Sequence, residues 1–235
     1  MALTPEQVTF YQTFGFLVHQ QAFSPEEMKT IERDFDATML AARQGQKFDG
    51  KQRQSVSDSI EQQPGVQKFM NGDRIAASVE QLLGPGYSFE ASDANLYVGD
   101  TGWHGDHGWH PSMLKEGDPD SKFIKSRYYP GLKLAFYLDP VARDTGCLRV
   151  IPGGHVRPFH DSLRSIYYTL NSELASQIER FGVAPQDLPC HAIESEPGDI
   201  VFFSHQMWHA SFGGRSGRRM FSFNFKGKDF EGYPA

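Results

Sequence analysis

Up to Leu83 the apolar residues of this chain fall at helical spacing. After Tyr87 they gather into short runs separated by turn residues, so the chain divides into a helical part and a stranded part. Thr4-Pro5-Glu6-Gln7 is a capping box with proline at the first helical position; it predicts a helix to about Phe14, closed by Gly15. Ser24-Pro25-Glu26-Glu27 repeats the device and opens a longer helix, with Met28, Ile31, Phe35, Met39 and Leu40 marking one apolar face. The polar stretch from Gly45 to Gly65 reads as a loop with room for a short strand. A third helix is predicted from about Asp73 to Leu83, stopped by Gly84-Pro85-Gly86.

In the second part the candidate strands are Tyr87–Glu90, Ala94–Val98, Leu132–Leu138, Leu148–Ile151, Ile200–Phe203 and Met220–Phe225, with one helical insert at about Leu170 to Phe181. Helices outside a set of short antiparallel strands predict a mainly β fold, a jelly-roll barrel with N-terminal helical support. No linker or internal repeat stands out, so residues 1–235 read as one domain, with 1–86 as the support and 87–226 as the jelly-roll core. The polar segment Pro111 to Arg127 is too long for a tight turn and is a candidate lid.

Composition narrows the function. A net charge of -6, with no Lys/Arg-rich run, gives no reason to expect nucleic acid. No apolar stretch is long enough to span a bilayer, and the start, Met-Ala-Leu-Thr-Pro-Glu, lacks the features of a secretory signal. Two cysteines, Cys147 and Cys190, are too few for a disulfide framework and lack zinc-knuckle spacing. The expected setting is the reducing cytoplasm, and the expected partner is a small molecule. Oligomeric state is unreadable.

The candidate chemistry lies in Trp103-His-Gly-Asp106 and in His209, at the end of the run Ile200-Val-Phe-Phe-Ser-His-Gln-Met-Trp-His. Alternate residues of a strand share a face, so His104 and Asp106 aim a nitrogen and a hard oxygen at one point. His209, from a distant strand, completes one face of an octahedron and leaves three positions free. That donor set suits non-haem Fe(II) with a bidentate 2-oxo acid and dioxygen, whereas structural zinc wants four protein ligands. A dicarboxylate co-substrate also needs a cation for its far end, and Arg218 and Arg219 open the last strand. Their alternation lets only one face inward.

The run from Asp93 to Phe225 resembles the phytanoyl-CoA dioxygenase-like branch of the Fe(II)/2-oxoglutarate-dependent oxygenases. The resemblance rests on Trp-His-x-Asp at Trp103, Ala-Phe-Tyr-Leu-Asp-Pro at Ala135 and Asp-Thr-Gly-Cys-Leu-Arg-Val-Ile-Pro-Gly-Gly-His ending at His155. Gly-Asp-Ile-Val-Phe-Phe at Gly198 and His-Ala-Ser at His209 complete it. It implies a double-stranded β-helix of cupin type, with His104, Asp106 and His209 as iron ligands. It favours Arg218 over Arg219 as the 2-oxoglutarate anchor, with Ser211 donating to the same carboxylate. The turn before Arg218 is shorter than in many relatives, which keeps Arg219 open.

Other residues have weaker claims. Asp93, Asn95 and Tyr97 share a strand face, and Asn95 and Tyr97 are candidates for the co-substrate site. Trp109, His110, Arg127 and Lys133 are candidates for the substrate pocket, although a core aromatic or a solvated face explains them as well. His107 lacks a ligand position, His205 shares the last strand with His209, and His155 reads as a turn residue.

The reaction implied is hydroxylation of an unactivated C–H bond of a small metabolite, consuming O2 and 2-oxoglutarate and releasing succinate and CO2. A carboxylate at Asp106, where a halogenase needs a small residue, favours hydroxylation over chlorination. The alternatives are a cupin-type metal enzyme that needs no keto acid and a non-catalytic jelly-roll binding protein.

Overall fold

The computed structural model describes residues 2–70, 72–106, 131–156, 159–160 and 182–228. The candidate lid from Pro111 to Arg127, the expected helix at Leu170 to Phe181, and His107, Trp109 and His110 lie outside the described residues.

The helices begin where the capping residues place them. Helix α1 (Pro5–Phe14) starts after Thr4, whose hydroxyl accepts from the Gln7 N–H while the Gln7 side chain accepts from the Thr4 N–H at 2.9 Å. Gly15 follows at φ 82, in the left-handed region, and its N–H closes on the Tyr11 carbonyl. Helix α2 (Pro25–Ala42) uses Ser24 and Glu27 in the same way and buries Met28, Ile31, Phe35 and Met39. Leu40, expected on that face, is exposed; one residue past Met39 is a rotation of about 100° out of the stripe.

The stretch expected as a loop contains a 3-10 turn at 59–62, and helix α3 (Pro64–Met70), which was not expected, begins at its end. The Gly65 N–H donates to the carboxylate of Asp34 on α2, so the α3 start is satisfied by a tertiary partner rather than a local cap. Helix α4 (Asp73–Leu83) then ends at Gly84.

The strands are β1 (Phe16–His19), β2 (Gln54–Ser57), β3 (Ser88–Tyr97), β4 (Thr101–His104), β5 (Gly131–Tyr137) and β6 (Leu148–Val150). They continue with β7 (His191–Ile193), β8 (Ile200–Ser204), β9 (His209–Ser211) and β10 (Arg218–Lys226). All pair antiparallel, in a six-stranded sheet ordered β1-β8-β5-β10-β3-β2 and a four-stranded sheet ordered β4-β9-β6-β7. Strands β3 to β10 form the two facing halves of a jelly roll.

Three expectations are corrected. Among the described residues the two sheets keep separate ladders and do not close into a barrel. The two strands expected at Tyr87–Glu90 and Ala94–Val98 are one, β3, whose pairing with β10 shifts register at Asn224/Phe225. The first 86 residues are not only helical, since β1 and β2 extend the larger sheet at its two edges.

The larger sheet has two unlike faces because strand residues alternate. Leu132, Leu134, Phe136, Phe202, Phe221 and Phe223 point toward the helices and join Ile31, Phe35, Ile75 and Val79 in one core. Phe136 lies stacked on Phe221 with ring centroids 4.4 Å apart. Each such side chain removed from water stabilises by about 1.5–3 kcal/mol, which is what fixes the register. The alternate positions, among them Tyr97, Lys133, Tyr137, Phe203, Arg218 and Met220, line a cavity shared with the smaller sheet.

Candidate metal centre

His104 and His209 are directly paired residues on β4 and β9, with ring centroids 4.1 Å apart. Each follows a tryptophan, and alternation sends the two neighbours to opposite faces. Trp103 and Trp208 are completely buried in a cluster with Ala210 and Phe212, and the Trp103 indole N–H donates to the Pro185 carbonyl at 3.0 Å. The indoles anchor one face of the small sheet while the imidazoles present on the other.

The backbone sets the imidazole orientation. The Nδ1 of His104 donates to the Gly102 carbonyl at 2.8 Å, and that of His209 to the Met207 carbonyl at 2.9 Å. A proton held at Nδ1 leaves the Nε2 lone pair for a metal. Asp106 lies just past the end of β4, with Oδ1 3.8 Å from Nε2 of His209. One ligand atom from each of His104, Asp106 and His209 lies within 4.8 Å of the others, and among the described residues this is the one His/Cys/Asp/Glu group so placed. Two nitrogens and one hard oxygen, with no fourth protein donor in the group, fit Fe(II) with open positions.

The charges suit a metal as well. Burial, reinforced by His104, pushes the His209 pKa down to about 3 against the pull of Asp106, so its imidazole is neutral. For Asp106 burial acts upward, but Lys133 first, then His209, His205 and His104, hold the carboxyl well below the usual range. Lys133 reaches both Asp106 oxygens, at 3.2 and 3.3 Å. Its own pKa is raised: burial acts downward and the Asp106 carboxylate outweighs it.

Arg218, at the head of β10, is 2 % exposed, and its Nε and Nη1 have no partner among the described residues. A buried guanidinium without a counter-charge is costly, so its natural complement is an anionic ligand. It lies over the Tyr97 ring at 5.0 Å. A Cβ on Gly146 (φ +92) or Gly214 would run into the guanidinium, so these glycines leave it its space. Ser211 lines the same cavity, and its hydroxyl donates to the Gly146 carbonyl at 2.9 Å.

Arg219 does not line the cavity. It lies on the other face of β10, held by Asp139 at 3.0 Å and Asp36 at 3.3 Å. Tyr97 and Lys133 line the cavity, whereas Asn95 is buried behind Arg53 and accepts from it. Trp109, His110 and Arg127 are outside the described residues. His205 is buried, with its backbone N–H on the Gly131 carbonyl, and His155 sits in a turn against the Gln12 carbonyl. Both cysteines are free. Arg53, in the stretch read as a polar loop, is a charged cavity residue that sequence reasoning missed, and only the pairing of β2 with β3 brings it here; Thr101 and Tyr137 also line the cavity without having been singled out.

Comparison with known proteins finds the same fold. The chain resembles HygX from Streptomyces hygroscopicus, solved with nickel, 2-oxoglutarate and hygromycin B bound, at 17% identity and a TM-score of 0.69, over 99% of this chain and 89% of that one. It resembles the non-haem α-ketoglutarate-dependent carbocyclase SnoK from nogalamycin biosynthesis at 19% identity and a TM-score of 0.68, covering 96% and 84%. EctD from S. alaskensis matches at 18% identity and a TM-score of 0.66, covering 96% and 77%. No curated protein matches in sequence. The phytanoyl-CoA dioxygenase (PhyH) family matches residues 11–221, and its cofactors are Fe(II), 2-oxoglutarate and O2. With that match over most of its length, the chain belongs to the phytanoyl-CoA dioxygenase family of Fe(II)/2-oxoglutarate-dependent oxygenases.

Proposed function

We propose that the chain hydroxylates an unactivated C–H bond of a small metabolite, with 2-oxoglutarate converted to succinate and CO2. His104, Asp106 and His209 would hold Fe(II), and Arg218, flanked by Tyr97 and Ser211, would take the distal carboxylate of 2-oxoglutarate. The observation that carries this reading is a three-donor cluster and a buried arginine whose Nε and Nη1 have no partner among the described residues, both in one cavity. A cupin-type enzyme without a keto acid would have no use for that arginine, and a binding protein would have none for the cluster.

When bound, iron and 2-oxoglutarate activate dioxygen and supply the oxidant. The chain's own residues position and shield. The carbonyls of Gly102 and Met207 keep protons at the two Nδ1 atoms, so the coordinating faces stay basic. Lys133 holds the Asp106 carboxylate ionised and oriented. Phe203, Ala135 and Met220 give the cavity apolar walls that limit water.

The substrate is read as a small soluble molecule, a reading that the hygromycin B bound to HygX supports. No helix among the described residues is long and apolar enough to cross a membrane, and two free thiols fit a reducing cytoplasm. We also take residues 1–235 as one functional unit, since β1 and β2 complete the sheet that carries Arg218.

The test is a screen of metabolite pools for succinate formation that requires iron, 2-oxoglutarate and O2 together, with mass spectrometry for a product that gains one oxygen. Asp106→Ala should lose both iron and turnover. Full iron retention in that variant, or succinate formation without added iron, would overturn the assignment.

A further inference from the structure

We infer that Arg53 is a substrate anchor, and that the molecule oxidised here carries an anionic group, a carboxylate or its equivalent. This deepens the dioxygenase reading above and rests on it.

Arg53 directly precedes the edge strand β2, and the register of β2 against β3 sets it beside Tyr97, on the rim of the metal cavity. Its guanidinium is fixed on two sides. Nε and Nη2 donate to the Asn95 Oδ1 at 3.0 and 2.7 Å, and the plane lies over the Tyr97 ring at 4.5 Å. Asn95 is itself buried, so the clamp is rigid. Those bonds use one edge of the fork. The edge formed by Nη1 and the second N–H of Nη2 is left over, and it is the one that receives a carboxylate in bidentate fashion.

No carboxylate among the described residues forms an ion pair with Arg53. Asp93, further along β3, acts on Lys133 and accepts from Ser57 at 3.4 Å. An exposed arginine usually gains nothing from being held still; one clamped by a buried amide and an aromatic face is preorganised for a ligand.

The cavity's charges favour an anion there. Ferrous ion and 2-oxoglutarate cancel formally, and Asp106 cancels Lys133, so the two arginines remain as net positive charge in the loaded cavity. Arg218, at the closed end, is the partner for the distal carboxylate of 2-oxoglutarate. Arg53, at the exposed rim, is a cation left for something that enters after the co-substrate. Tyr97 contacts both guanidiniums, at 4.5 Å from Arg53 and 5.0 Å from Arg218.

The experiment uses protein loaded with Zn(II) and saturating 2-oxoglutarate, probed by saturation-transfer NMR with straight-chain carboxylates from acetate to decanoate and the matching primary amides. Bound 2-oxoglutarate is followed in the same samples. At least one carboxylate should bind wild type about tenfold more tightly than its amide, and Arg53→Gln should remove that preference while leaving 2-oxoglutarate affinity within about twofold. Arg53→Lys should keep part of the preference, since it retains charge without the fork. Equal binding of every acid and its amide to wild type, or no binding by any acid, overturns the inference. So does a fall in 2-oxoglutarate affinity in Arg53→Gln, which would make Arg53 part of the co-substrate site. Failure of wild type to take up 2-oxoglutarate at all would instead sink the dioxygenase reading.

Discussion

Lys133 sets its ammonium 3.2 Å from the carboxylate of Asp106, a candidate iron ligand, so a protein cation stands beside the metal position. Both side chains are only 18% exposed. The pairing offsets much of the cost of keeping an ionised carboxylate in a partly buried cavity. Lys133→Met removes it, and the metal-free protein should lose about 2 kcal/mol as Asp106 is left uncompensated. A divalent ion then supplies the missing positive charge. The rise in melting temperature on adding metal should therefore be larger in Lys133→Met than in wild type. Equal increments would show that the lysine contributes nothing to Asp106.

Arg218 and Arg219 are neighbours with opposite surroundings, and their variants should separate cleanly. Arg218→Gln should weaken 2-oxoglutarate binding by roughly 30-fold or more, the scale for removing one partner of a buried charge pair, with iron retention unchanged. Arg219→Gln breaks a partly exposed network with Asp139 and Asp36. It should cost about 1 kcal/mol of stability or less and leave 2-oxoglutarate affinity as in wild type. Titration calorimetry on metal-loaded protein and denaturant melts read the two effects.

Gly146 tests whether the arginine's position, and not only its charge, matters. Its φ of +92 disfavours any side chain, and a Cβ there would meet the Arg218 guanidinium. Gly146→Ala should cost about 1–2 kcal/mol in stability and weaken 2-oxoglutarate binding while every charged group remains. Undiminished 2-oxoglutarate binding in that variant would mean that Arg218 relaxes into the remaining space at no cost to its role.

These outcomes bear on what the sequence could disclose. The nearness of His104 and Asp106 was legible in their spacing of two, although Asp106 lies past the end of β4 and is not placed by strand alternation; the approach of His209 depends on the long-range pairing of β4 with β9, which no local pattern shows. The inward turn of Arg218 and outward turn of Arg219 were half legible: alternation says that only one enters the cavity, and Asp36 and Asp139 decide which one stays outside. Helix α3 was illegible because its first turn is completed by Asp34 from another helix. Strand β1 has four residues, too few to show a period, and exists because β8 offers a free edge. Arg53 sits in a run of Lys, Gln and Ser that reads as solvent-facing, and only a strand pairing makes it part of a cavity.

The last prediction concerns pH and follows from His209. Its pKa lies at about 3 in the folded, metal-free protein because burial and His104 oppose a second proton, and rises toward the ordinary value of about 6.5 on unfolding. Between those values the unfolded chain binds more protons than the folded one, so stability rises with pH across the window and is lost as pH falls. The slope for one such group is about 1.4 kcal/mol per pH unit once the pH is well below the unfolded value. His19 and His155, also shifted down by burial, act with the same sign. Denaturant melts of metal-free protein from pH 7.5 to 4.5 should therefore show a steady loss below about pH 6.5, and His209→Gln should remove part of the slope while leaving what His19 and His155 contribute. An unchanged slope in that variant would mean that His209 does not stay neutral in the folded protein. In that case the imidazole would not be ready for iron without first losing a proton.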